Sequence, residues 1–173
     1  MPLLDRNGAR LDPWTRSEGA AIAGLSHALV PWEGLSEALA LKAGGQRLGV
    51  AIPNNLPVAE LAPVLDRLAL VAVRFPAYSD GRGFSQARLI RGHGFTGALR
   101  ASGPLIADQF AYALACGFDE IELPEANAAR QPLRQWQTAL RQISRGYQRG
   151  YVDRVSILDQ RRAARDVNRA AAS

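Results

Sequence analysis

The sequence predicts an α/β protein: a parallel sheet of four to five strands with alternating helices. Three observations predict it. Apolar runs of strand length recur at 47–52, 71–75, 97–102 and 120–123, and helically spaced apolar positions follow most of them. The connections between them are short. Near-continuous apolar strands such as LVAVRF suit a parallel sheet covered on both faces. Two architectures fit this pattern, an open doubly wound sheet and a partial (β/α) barrel, and both collect ligands at the carboxyl ends of the strands.

In chain order, Asn7-Gly8 between short β-capable pieces predicts a hairpin, and Asp12-Pro13-Trp14 a turn that lays Trp14 on the core. A Gly/Ala/Ser-rich linker leads to a strand at 27–31 and a helix over 35–42, which Gly44-Gly45 stops. The strand 47–52 exits through Pro53-Asn54-Asn55. Pro57 then opens a helix carrying Val58, Leu61, Leu65 and Leu68, with Pro63 set to kink it or to mark its true start. The strand 71–75 leads through a glycine-rich turn to a helix beginning near Phe84 or Ser85. After the strand 97–102 and the turn Gly103-Pro104, a helix buries Ile106, Phe110, Ala113 and Leu114 and ends at Gly117. A last helix over 132–147 carries Leu133, Trp136, Leu140, Ile143 and Tyr147 in a narrow stripe, suited to packing on the sheet or to a helix–helix homodimer.

Composition bounds the function. The 173 residues, 47% hydrophobic and 21% charged, are ordinary for a globular chain, and one α/β domain over 1–150 is expected. No apolar run reaches membrane-span length, and the N-terminus lacks the basic and apolar regions of a signal peptide. A single cysteine fits a reducing compartment. A cytoplasmic protein is therefore expected. The net charge of +5 is concentrated at the end: residues 1–144 carry 14 basic and 13 acidic side chains, and 145–173 carry seven Arg and three Asp. The segment 151–173 reads as a basic tail, frayed helix or disordered, and solvated rather than bound to nucleic acid.

The densest binding chemistry lies in the turn after 71–75. Asp80 is placed to fold its carboxylate onto the following amides, and Gly81 and Gly83 to free the backbone for unusual dihedrals. With the N–H groups opening the next helix and with Arg82, Ser85, Gln86 and Arg88 nearby, this stretch is expected to bind an anion or a partner. Arg100, inside a predicted strand, needs a partner, with Asp80, Asp108 and Glu122 as candidates. Asp108 and Gln109 open the following helix and face the same rim. An ion pair that fixes two loops and a phosphate, sulfate-like or carboxylate site both fit these residues.

Other residues point away from common chemistries. Cys116 precedes the helix-ending Gly117 and reads as a small core residue. His27 and His93 lie far apart without ligand-spaced neighbours, so no metal site is expected. The Walker, dinucleotide and nucleophile-elbow signatures are absent, and position 86 is Gln where a third fingerprint glycine would stand. The residues name no cofactor.

Five linked motifs carry a family resemblance: Phe75-Pro76, then 80–85 (DGRGFS), Leu99-Arg100-Ala101 with Gly103, Asp108-Gln109, and 116–119 (CGFD). Over 70–123 the chain closely resembles the bacterial domain-of-unknown-function family number nine-three-four, whose members are described as probable oxidoreductases involved in sulfite reduction. The resemblance implies a role beside assimilatory sulfite reductase, a sirohaem and iron–sulfur enzyme fed by a reduced donor. Two functions follow as expectations. One is an accessory protein of sulfur assimilation that docks on the reductase or its electron donor. The other is an enzyme binding a phosphate-bearing cofactor, such as a flavin, or a sulfur oxyanion on the rim.

Overall fold

The computed structural model describes residues 1–143. Eight strands form one sheet: β1 (Leu3–Asp5), β2 (Gly8–Arg10), β3 (Thr15–Arg16), β4 (His27–Pro31), β5 (Arg47–Pro53), β6 (Leu70–Arg74), β7 (Ala98–Ser102) and β8 (Glu120–Glu122). Their order is β2-β1-β8-β7-β6-β5-β4-β3, with β3 to β8 all parallel and the β1–β2 hairpin added antiparallel beside β8. The expected four to five strands are thus corrected to eight, of which six are mutually parallel. The two-residue β3 was missed because a dipeptide has no periodicity to read. Neighbours in the parallel set are successive in sequence, without the reversal that a doubly wound sheet needs, so the partial barrel is the architecture found.

The curl follows from reach. Five strand spacings separate β3 from β8, about 24 Å on a flat sheet, far beyond one arginine side chain. Yet Arg16 on β3 forms an ion pair with Glu122 on β8, and its Nη2 donates to Ser102 Oγ on β7 at 3.3 Å. The sheet is a curled half-barrel in which β3 and β8, the outer strands of the parallel set, approach each other across the concave side.

Strand alternation sorts the residues. Leu48, Val50, Ile52, Val71, Val73, Leu99, Ala101 and Ile121 point to the convex side, where they join the main core with residues of the six helices. These helices are α1 (Leu35–Leu41), α2 (Val58–Leu61), α3 (Arg82–Gly92), α4 (Phe110–Ala115), α5 (Glu125–Arg130) and α6 (Leu133–Ile143). On the concave face Gly49, Ala51, Ala72 and Ala98 leave room for Trp14, which packs there with Leu29 and Leu70: a Cβ on Gly49 would sit 3.0 Å from the indole and 2.9 Å from Leu70 Cβ. Pro63 does not break its segment, but the chain tightens from α2 into a 3-10 helix over Ala62–Arg67. A 3-10 turn, Ala107–Gln109, likewise precedes α4. The hairpin turns at Arg6 and Asn7, with Gly8 already in β2. α6 buries Trp136 against Phe110, and the expected continuation of this helix to 147 and the tail 151–173 lie outside the described residues. Among the described residues no helix is long and apolar enough to cross a membrane.

Candidate functional site

The concave face holds a buried ion network. Arg100 is fully buried, donating from Nε to Glu120 Oε1 at 2.8 Å and from Nη1 and Nη2 to the two oxygens of Asp12 at 2.7 and 2.8 Å, with Glu122 3.8 Å away. Register explains it: Arg100 pairs with Glu120 across β7–β8, so both side chains emerge on the same face. This corrects the expected partners, since Asp80 and Asp108 take no part and Glu122 is secondary. Asp12 arrives from the turn before β3, 88 positions upstream, and strand spacing gives no signal for that contact. Burial pushes the Asp12 carboxyl up, but hydrogen bonds from Arg100 and the Trp14 amide, with the charges of Arg100 and Arg16, outweigh it and hold the pKa below its usual value.

Above this network the carboxyl ends of β5 to β8 open into a mouth of about 710 Å³. Three arginines, Arg16, Arg74 and Arg82, line it with Asn54, Asn55 and Ser102, and among the described residues no Asp or Glu lines it. Arg16 is engaged with Glu122. Arg82 is engaged with Asp80 through Nε to Oδ1 at 2.9 Å and Nη2 to Oδ2 at 2.6 Å. Arg74, exposed at the end of β6, makes no ion pair among the described residues. The Asp80 carboxyl is held far below the usual carboxylate range, first by its hydrogen bond with Arg82 and then by Asn54. Asn54 stands close enough to exert that effect, but its side chain is buried and Nδ2 makes no hydrogen bond of good geometry.

The glycine-rich turn works differently from expectation. Asp80 does fold back, its Oδ1 accepting the Arg82 amide at 3.2 Å. Neither Gly81 nor Gly83 adopts a positive φ, however, and α3 begins at Arg82 with Gly81 in ordinary helical geometry. Gly83 is required for a close approach: a Cβ there would lie 2.3 Å from Phe75 Cζ. Glycine's two uses, unusual dihedrals and tight packing, look identical in sequence.

Of the ten residues singled out from the sequence, Arg82 alone lines the mouth, with Asp80 beside it. Ser85 is exposed on α3, and Arg88 lies over the Tyr112 ring at 5.7 Å. Gln86 is buried and donates from Nε2 to the Leu56 carbonyl at 2.7 Å. Gln109 ties its turn to the neighbouring loop through the Tyr78 carbonyl at 2.7 Å, and exposed Asp108 borders a second cavity beside Gln131 and Arg134. Arg16, Arg74 and Asn54 line the mouth without being among the residues the sequence singles out. Arg74 had a signal: by strand alternation it shares the face of Arg100, at the carboxyl end of the neighbouring strand. Cys116 is buried at the end of α4, and His27 packs its ring edge-on to Trp14.

Fold and site together define a curled (β/α) half-barrel with an arginine-lined mouth at its carboxyl rim. The chain belongs to the family described as bacterial protein of unknown function (DUF934), whose model matches residues 49–158. That span opens in β5 and contains every residue lining the mouth except Met1 and Arg16. No curated protein matches the chain.

Proposed function

We propose that this protein is a cytoplasmic accessory protein of assimilatory sulfite reduction that holds an anion at its carboxyl-rim mouth and docks on the reductase or its electron donor. The observation that carries the anion part is the lining itself: three arginines, of which Arg74 makes no ion pair, and no carboxylate among the described residues around an open cavity. Guanidinium groups match oxyanions bidentately, and a concave wall concentrates their field. The accessory part draws on the resemblance to proteins described in sulfite reduction. It also draws on what the mouth lacks. None of its lining residues is a His, Cys, Lys, Tyr, Asp or Glu, so no lining side chain is suited to carry a proton near neutral pH. The carboxylates nearest below it are engaged by Arg100 and Arg16. This favours binding over catalysis by the chain's own groups.

The test is a thermal-shift series with sulfite, sulfate and phosphate, together with affinity capture of sulfite reductase subunits on the immobilised full chain. A ligand that binds only the native state raises its melting temperature. The proposal expects an oxyanion-dependent rise and retention of a reductase or donor subunit. Flat melting curves would remove the anion part, and failure to retain either subunit the accessory part.

A further inference from the structure

The volume and lining of the mouth identify the class of ligand further, on the premise that the mouth binds an anion as proposed above. A bare oxyanion displaces the space of a few water molecules, about 30 Å³ each. The mouth measures about 710 Å³, within the roughly 300–1,000 Å³ range of sites for organic ligands. Its lining combines two chemistries. Pro53, Pro76, Pro104 and Pro124 contribute flat apolar surface and, having no N–H, no backbone donors. Arg74 and Arg82 place guanidinium groups on the same cavity, and Asn54 brings a side chain only 6% exposed whose Nδ2 lies near Asp80 without a hydrogen bond of good geometry among the described residues.

A buried donor without an acceptor costs free energy, and native proteins rarely keep one without a use. Asn54 sits where the exit of β5 meets the Asp80–Arg82 pair, and it lines the cavity that Arg74 enters from β6. Arg74 is the arginine of the three that makes no ion pair among the described residues. Four prolines, a guanidinium without an ion pair among the described residues and a poorly satisfied amide give the one mouth both apolar surface and a polar anchor.

We infer that the mouth takes an organic phosphate monoester of mononucleotide size, its ring body against the proline surface and its phosphate on Arg74, with Asn54 Nδ2 gaining a well-placed acceptor from a phosphate oxygen. Arg82 offers its remaining guanidinium N–H groups at the edge of the anchor while Asp80 holds it in place. A bare sulfur oxyanion fills only the polar end.

The experiment titrates the full chain by calorimetry with flavin mononucleotide, pyridoxal 5′-phosphate and adenosine 5′-monophosphate. Each is paired with its unphosphorylated counterpart, and inorganic phosphate and sulfite serve as ring-free anions. The inference expects at least one monoester to bind tenfold or more tighter than both its unphosphorylated partner and inorganic phosphate. Arg74→Gln is expected to weaken that monoester at least tenfold while leaving the unphosphorylated compound unchanged, and Asn54→Ala to weaken it severalfold. Monoesters binding no tighter than inorganic phosphate would overturn the inference and leave the anion reading standing. Equal binding of a monoester and its unphosphorylated partner would overturn the phosphate anchor. No binding of any probe would remove both this inference and the reading beneath it. Because Arg74 is exposed and unpaired, an unchanged melting temperature in Arg74→Gln separates lost binding from lost folding.

Discussion

Replacing Arg100 by Met tests what holds the curled sheet together. The substitution keeps most of the aliphatic volume but removes a guanidinium that is fully buried and donates to Glu120 and to both oxygens of Asp12. Glu120 is left 6% exposed in its side chain, with only Arg10 3.6 Å away as a cationic neighbour. Glu122 keeps Arg16. Removing one partner of a buried pair typically costs about 3–5 kcal/mol, because the other charge stays desolvated. Asp12 is partly open to water and recovers some hydration, so the lower half of that range, about 3 kcal/mol, is expected. For a domain with a total stability of roughly 5–15 kcal/mol this is a large share. Urea denaturation followed by circular dichroism at neutral pH reads it directly.

The pH dependence adds a second handle. Asp12 has a depressed pKa in the folded protein, so its contribution is present above its unfolded value and is lost as pH falls through the folded one. That contribution disappears in Arg100→Met, and the deficit of the variant shrinks as pH drops below about 4. Adding Glu120→Gln to Arg100→Met removes the stranded charge and should recover at least 1 kcal/mol. A loss under about 1 kcal/mol in the single variant, or no recovery in the double, would refute the view that this network is a tightly paired interior element.

Three further outcomes follow. Gly83→Ala is expected to cost about 1–3 kcal/mol by urea denaturation, since its Cβ would lie 2.3 Å from the Phe75 ring. Gly81→Ala, in open space with helical φ, should be neutral or stabilising by about 0.4–1 kcal/mol, and the reverse order would contradict the packing described. In Arg82→Ala the Asp80 carboxyl, released from its first and strongest hydrogen-bond partner, should titrate at a clearly higher pH by carboxyl-resolved NMR; an unmoved midpoint would show that the pair does not form. Arg91 donates to the carbonyls of Phe95, Gly97 and Gly117 and to Asp119, so Arg91→Met should destabilise by about 2 kcal/mol, and a change under 0.5 kcal/mol would count against it.

Much of the parallel core was legible because each strand is a local apolar run with a local stop. The strand at 27–31 was read at its observed ends, and β5, β6, β7 and β8 within a residue or two. The sheet's extent was less legible: β3 is two residues long, and the β1–β2 hairpin joins β8 through contacts nearly the full length of the described chain apart. α5 went unread because Glu125–Arg130 buries no residue and so shows no apolar stripe. The convergence of the loops after β5, β6, β7 and β8 on one rim was legible from topology. The residues of that rim were read less well. Charged turn residues such as Asp80 and Arg82 attract attention in a sequence but neutralise each other in space, whereas Arg74 looks like the ordinary end of a strand. Asn54 reads as a loop residue, and only the fold makes it a buried donor.

The most direct test of the anion-binding mouth is a sulfite titration of the wild-type chain and Arg74→Gln by calorimetry at two ionic strengths. The account predicts saturable binding to the wild type that weakens with added salt, as screened charge interactions do. It also predicts at least a tenfold loss in Arg74→Gln with an unchanged melting temperature. Equal binding by the two proteins, or none by the wild type, would contradict it.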